Sequence, residues 1–195
     1  MKTIVGVSGA SGAIYGFRVL ERLRQAAAGE THLVLTRSAE RTAWIELGKT
    51  AADFKALADF SYPLEDVGAP LASGSFLSDG MVVAPCSVHT MSAIAAGISS
   101  NLLLRAADVC LKERRKLILM VRETPFHLGH LRTMTALTEM GAIVAPPIPA
   151  FYTRPATVLD LVDRSIDRVL DLLGIPVTSA PRWTGARSSG QDQAT

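Results

Sequence analysis

Short, nearly unbroken apolar runs alternate along this chain with longer segments whose apolar residues recur every three or four positions. The runs are Thr3–Val7, His32–Leu35, Met81–Ala84, Leu117–Val121 and Ala142–Val144. A strand with one face in water alternates apolar and polar residues. Continuous runs instead suit strands of a parallel sheet covered on both faces. Between them the spacing predicts helices over Gly12–Ala28, Ala39–Leu47, Ala51–Ala58, Ser87–Ala96, Asn101–Lys112, His127–Met140 and Val158–Leu173. In the first of these, Ile14, Phe17, Leu20 and Leu23 stand three apart. Strand–helix alternation implies right-handed crossovers. The expected fold class is therefore α/β, a Rossmann/flavodoxin-like doubly wound parallel sheet in three αβα layers. Tyr62–Ser78 contains Gly68, Pro70 and Gly74, has no clear period and reads as a long loop. Residues 1–175 are expected to form a single domain. Residues 176–195, rich in Pro, Ser and Gly, are expected to form a tail, partly disordered or packed on a neighbouring subunit.

Charge narrows the function classes. Lys and Arg total 20 against 18 Asp and Glu, leaving +2. That balance excludes a protein built mainly to bind nucleic acid or an acidic membrane. The apolar run after Met1-Lys2 is too short for a signal peptide, and no run reaches the ~18 residues of a membrane span. Cys86 and Cys110 both lie in apolar stretches with no CxxC, which predicts buried free thiols and a reducing, cytoplasmic setting.

In doubly wound sheets, ligands bind beyond the carboxyl ends of the strands. After the first strand comes Ser8-Gly9-Ala10-Ser11-Gly12-Ala13. Small residues and a new helix N-terminus there suit a phosphate, although the same residues also make a plain tight turn. The dinucleotide fingerprint is absent, because position 8 is Ser where a second Gly is needed, and strand two ends in Thr36-Arg37-Ser38 rather than an acid. NAD is disfavoured, NADP survives only through Arg37, and a mononucleotide such as FMN fits better. Pro85-Cys86-Ser87-Val88-His89-Thr90 follows the third strand. Ser87 and Thr90 suit a helix cap, a phosphate or a flavin edge. Arg105 and Lys112, seven apart, fall on one face of a helix about 10 Å apart along its axis. Salt bridges to Asp108 or Glu113, a subunit contact or an anion would each explain them. Arg122-Glu123 ends the fourth strand, where Arg can fork onto phosphate and Glu can move protons, or the two can pair. Pro146–Tyr152 offers a stiff apolar wall with one hydroxyl. Arg168 follows on the last helix, with Asp171 as its expected partner and Asp160 as that of Arg164. His127 and His130 have no third ligand at metal-binding spacing, so no metal is expected.

Taken together, GASGAIYG (9–16), ASGSFLSDGMVVAPCSVHT (72–90), NLLLRAADVCLKERRKLILMVRETP (101–125), HLRTM (130–134) and PPIPAFYTRP (146–155) are similar to the UbiX-type flavin prenyltransferases. The resemblance spans Gly9 to Trp183, and the 101–125 block is its most specific part. It implies a flavodoxin-like Rossmann variant assembled into large homo-oligomers, typically dodecamers. It implies transfer of a dimethylallyl group from dimethylallyl phosphate to N5 and C6 of reduced FMN, without a metal. The product, prenylated FMN, would serve a UbiD-type decarboxylase. By the same resemblance Gly9, Ala10, Ser11, Thr36, Ser87, Val88, His89, Thr90 and Arg122 contact FMN, with Ser11 near N5. Arg105, Lys112, Arg122, Glu123, Tyr152 and Arg168 match the substrate-phosphate set, some of it supplied by a neighbouring subunit. Ser11, Glu46, Lys112, Glu123 and Tyr152 form the implied catalytic group, Glu46 lying near the flavin. Three positions depart from the family pattern. Thr36 replaces a usual Ser, Ser100 a usual Asp, and His89 stands where Lys or Arg is frequent. Two rival readings are a decarboxylase of the flavin-dependent cysteine decarboxylase type, and a non-catalytic FMN-binding subunit of a decarboxylase.

Overall fold

The computed structural model of the chain describes residues 1–176. The expected tail lies outside them, apart from Pro176. Six parallel strands form one sheet: β1 (Lys2–Val7), β2 (Glu30–Leu35), β3 (Phe60–Tyr62), β4 (Gly80–Cys86), β5 (Lys116–Val121) and β6 (Ile143–Val144). Their order is β3-β2-β1-β4-β5-β6. The helices are α1 (Ala13–Gln25), α2 (Arg37–Leu47), α3 (Ala51–Lys55), α4 (Val88–Ala95), α5 (Leu102–Lys112), α6 (Leu128–Glu139) and α7 (Val158–Leu173). Within the expected loop, Pro70–Ala72 forms one 3-10 turn.

β3 is the element sequence reading missed. It is three residues long, lies at the sheet edge and pairs only with His32–Val34 of β2. A strand that short has no periodicity to read. Without it, the order of the five expected strands is that of flavodoxin; with it, the order is that of the dinucleotide-binding Rossmann sheet. β4 also runs further than expected, through Pro85 and Cys86.

The strands are apolar on both faces because both are covered. On one face Val5, Val7, Leu33, Leu35, Val82, Ala84, Ile118 and Met120 pack beneath α1, α2, α3 and α7. On the other, Ile4, Val34, Met81, Val83, Leu117 and Leu119 pack beneath α4, α5 and α6. A two-residue alternation along each strand sends neighbours to opposite cores. Cys86 and Cys110 are buried free thiols, as expected. Arg18 of α1 forks onto Asp163 of α7, Nε to Oδ1 at 2.7 Å and Nη2 to Oδ2 at 2.6 Å, tying together two helices of one layer.

Candidate active site

The strand order reverses between β1 and β4, and the turns after these strands are bound to each other. Ser8, buried, donates its hydroxyl to the Pro85 carbonyl at 2.8 Å and accepts from the Ser87 N–H at 2.7 Å. Sequence reading gave Ser8 no role, since its partners lie almost 80 positions away. Gly12 then enters α1 with φ 99°, a left-handed conformation that disfavours a side chain. It has no side chain to cap α1. Glu46, from α2, does so instead, accepting from the Gly12 and Ala13 N–H groups at 2.9 Å each. Burial would raise the Glu46 carboxyl. Hydrogen bonds from the Ser11 hydroxyl and from these two N–H groups, with the Arg122 charge, outweigh it and hold the group below the usual carboxylate range. The expected phosphate position at this helix start is therefore taken by a carboxylate of the chain itself. Ser11 and Glu46, matched separately in the sequence, form one pair.

Beside this turn lies a cavity of about 430 Å³. Gly9, Thr36, Ser87, His89 and Thr90, matched in the sequence to flavin contacts, line it together with Leu103 and Leu104. The capping and ligand readings of the hydroxyls are compatible. Thr36 Oγ1 accepts from Ala39 N–H at 3.1 Å, leaving its own proton to donate. Ser87 Oγ accepts from Thr90 N–H and bonds to Thr90 Oγ1 at 3.1 Å, so Thr90 keeps a donor. The first turns of α2 and α4 both start at this cavity and bring positive dipole ends to it. Arg37 and Glu65 pair at 2.8 Å on its lining. Sequence reading considered Arg37 only for NADP and passed over Ser38, Glu65 and Asn101. Ala10 sits in the turn between Gly9 and Ser11, half-buried, and Val88, the first residue of α4, packs on the core. Ser100 does not cap α5; Asn101 does, accepting from Leu104 N–H at 3.0 Å.

Arg122 and Glu123 follow β5 at the same edge of the sheet. The Arg122 N–H bonds to the Cys86 carbonyl at 3.0 Å, and Glu123 accepts from Thr124 N–H at 2.9 Å, not from Arg122. A second cavity, of about 530 Å³, lies between α7 and the proline loop and is lined by Tyr152, Arg164, Asp167 and Arg168. Arg164 pairs with Asp167 at 3.2 Å, while Asp160 is engaged in capping α7 through Ala156 and Thr157 N–H. Arg164 thus reaches Asp167, and its charge also acts on Asp160, whose carboxyl is held below the usual carboxylate range first by the Thr157 N–H and hydroxyl and the Ala156 N–H. Asp167 is 2% exposed, and its burial raises the carboxyl despite Arg22 and Arg164 nearby.

Arg105 and Lys112 share a side of α5, as the spacing predicted, and both are paired within the chain. Arg105 donates to Asp108 at 2.6 Å and to the Ala72 carbonyl at 3.0 Å. Lys112 pairs with Glu113. His127 caps α6, its Nδ1 accepting from Gly129 N–H at 3.0 Å. Among the described residues, no group of three or more His, Cys, Asp or Glu side chains is placed to hold a metal ion.

The Flavoprotein family model matches residues 1–169. The flavin prenyltransferase UbiX of Thauera aromatica is 54% identical over 185 residues, covering 95% of each chain. The chain is a UbiX-type member of the flavoprotein family. Two solved structures of the UbiX type match over 95% of its length. A dodecameric FMN-dependent UbiX-like decarboxylase from Escherichia coli O157:H7 superposes with a TM-score of 0.92 at 48% identity and is covered completely. AnUbiX, in complex with FMN and dimethylallyl pyrophosphate, superposes at 0.93 with 44% identity and is 98% covered. The peptidyl-cysteine decarboxylase EpiD shares the fold alone, at 17% identity and a TM-score of 0.63.

In this UbiX-type chain the implied phosphate set is spread over two edges of the sheet. Glu123 and Arg122 follow the carboxyl end of β5, whereas Lys112 ends α5 just before β5 begins. The six-residue strand between them spans roughly 20 Å. α5 and α7 also cover opposite faces. One chain therefore separates Lys112 from the Ser11–Glu46 pair by about the height of the sheet.

Proposed function

We propose that this chain is a metal-independent flavin prenyltransferase. It joins the dimethylallyl group of dimethylallyl phosphate to N5 and C6 of reduced FMN, and residues 1–175 act as one flavin-binding unit. The carrying observation is the hydroxyl-lined cavity with a leucine wall beside the Ser11–Glu46 pair, on a chain 54% identical to a flavin prenyltransferase. The cavity fits such a cofactor. Leu103 and Leu104 offer apolar surface to a ring system, while Thr36, Thr90 and two helix N-termini offer donors to a phosphate. Reduced flavin supplies the electron-rich N5 and C6 atoms.

The chain supplies position and charge. Gly9 and Ala10 let the backbone approach the flavin, and Thr36, Ser87, Val88, His89, Thr90 and Arg122 complete its contacts. The Ser11 hydroxyl, donating to Glu46, is held in the turn that Gly9 begins. Breaking the allylic C–O bond leaves a phosphate that takes the bonding electron pair and a five-carbon cation. Arg105, Lys112, Arg122 and Arg168, with the Tyr152 hydroxyl, stabilise the charge developing on the phosphate oxygens. Closure onto C6 would release one proton, with Glu123 or the departing phosphate as its acceptor. Holding both partners in one cavity makes the coupling local.

Lys112 lies at the far edge from the flavin cavity of its own chain, so it acts in a neighbour's site. A homo-oligomer, a dodecamer as in the E. coli structure, gives each site its complete phosphate set. The product, prenylated FMN, leaves for a UbiD-type decarboxylase. The chain acts in the cytoplasm, a reducing setting that suits the free thiols of Cys86 and Cys110.

The test is anaerobic incubation with reduced FMN and dimethylallyl phosphate, then mass spectrometry of the extracted flavin. A gain of one five-carbon unit is expected. Bound but unmodified flavin, with the diphosphate donor also failing, would favour the non-catalytic FMN-binding subunit.

A further inference from the structure

The segment between the 3-10 turn and β4 belongs to a motif, ASGSF, to which the proposed mechanism gives no task. It is fastened to α5 and its C-terminal extension at several points. Arg105 Nε donates to the Ala72 carbonyl at 3.0 Å. Arg115 donates to the Gly74 carbonyl at 2.6 Å and to the Phe76 carbonyl at 2.5 Å. Between these anchors the Lys112 ammonium and the Glu113 carboxylate lie over the Cα of Gly74. A Cβ built there would stand 2.7 Å from Lys112 Nζ and closer still to Glu113 Oε1. Gly74 does not have a left-handed φ, so its backbone would accept an alanine. The glycine is needed for room.

We propose that Gly74 and Glu113 are positioning residues that together seat the Lys112 ammonium for the donor phosphate, Gly74 by leaving space and Glu113 by pairing. The proposal rests on reading Lys112 as a donor-phosphate ligand. A methyl group at residue 74 cannot be relieved by moving the segment, because the guanidinium groups of Arg105 and Arg115 hold it on both sides. It is relieved by the flexible ends of Lys112 and Glu113. To reach an ordinary 3.4 Å contact, Nζ must retreat by about 0.7 Å. The fold survives such a shift at little cost, while a phosphate hydrogen bond does not keep its geometry. A displacement near 1 Å can lower catalysis by about a hundredfold.

The experiment compares Gly74→Ala, Glu113→Gln and Lys112→Met with the wild-type oligomer. It measures kcat and KM for dimethylallyl phosphate, FMN affinity and thermal melting. Gly74→Ala is expected to lower kcat/KM at least about fivefold, chiefly through kcat because Lys112 acts on the developing phosphate charge, with FMN affinity and melting unchanged. Glu113→Gln, at an exposed position, is expected to lower kcat/KM in the same way. Its result stands even if Gly74→Ala folds poorly. Wild-type kinetics in Glu113→Gln and in folded Gly74→Ala, with Lys112→Met impaired, would overturn the proposal and leave the role of Lys112 intact. An unimpaired Lys112→Met would overturn both.

Discussion

Ser8→Ala tests whether the two turns at the β1/β4 switch point act as one unit. The substitution removes a hydroxyl that donates to Pro85 O at 2.8 Å and accepts from Ser87 N–H at 2.7 Å. The Pro85 carbonyl keeps the Ser8 N–H at 3.2 Å, so its loss is partial. The Ser87 N–H loses its side-chain acceptor beside a half-buried residue. An unsatisfied buried donor costs ~1–3 kcal/mol. Partial water access at Ser87 favours the lower half of that range, ~1.5 kcal/mol. For a chain of this size, the melting temperature should fall by roughly 3–6 °C. If half of that cost falls on ordering the Ser87–Thr90 turn, FMN affinity drops about threefold. Thermal melting at fixed protein concentration and flavin-fluorescence titration measure both quantities. A melting temperature within about 1 °C of wild type, with unchanged FMN affinity, would refute the coupling.

Glu46→Gln removes the charge that caps α1. The folded carboxyl lies below its unfolded value. Its stabilisation is therefore present above the unfolded pKa near 4.3, and is lost as pH falls through the lower folded value. Wild type should out-melt the variant at pH 7 by roughly 1–4 °C, from ~0.5–1 kcal/mol after solvent screening, and the gap should close in acid. A gap independent of pH would contradict the assignment. Burial pushes the Cys86 thiol up to about 12 and the Cys110 thiol up to about 11. Neither should alkylate at pH 8 in the folded protein, and both should react in denaturant; rapid modification of native protein would show the thiols accessible. Glu123→Gln should retain FMN binding and turn over poorly, and unchanged turnover would remove Glu123 from the catalytic group.

The parts of the fold legible in sequence were those fixed by local pattern. The buried strands were written as apolar runs, and α7 as a long amphipathic period, so both were found. β3 was not, because three edge residues carry no period and are held only by pairing with β2. The site divides similarly. Its location was read from the strand ends, and Ser87 stands at its helix start as capping chemistry requires, whereas the caps from Thr36 and Asn101 were passed over. Ser8, the Ser11–Glu46 link and the Gly74–Lys112 contact were silent, since each joins residues about 35 to 80 positions apart. The partner of the α1 N–H groups was silent for the same reason. Nothing in Gly12-Ala13 indicates that a carboxylate from α2 reaches their N–H groups first. The salt-bridge partners of Arg105 and Lys112 were legible because Asp108 and Glu113 lie within one turn.

The central claim is that one active site draws Lys112 and Glu123 from different copies of the chain. Lys112→Met and Glu123→Gln variants, each nearly inactive alone, should be dissociated, mixed in equal amounts and reassembled. In a randomly mixed oligomer, about one quarter of shared sites receive both native residues, so activity should return to about one quarter of wild type. No recovery above the separate variants, from oligomers verified to contain both chains, would place both residues in the site of a single chain and contradict the account.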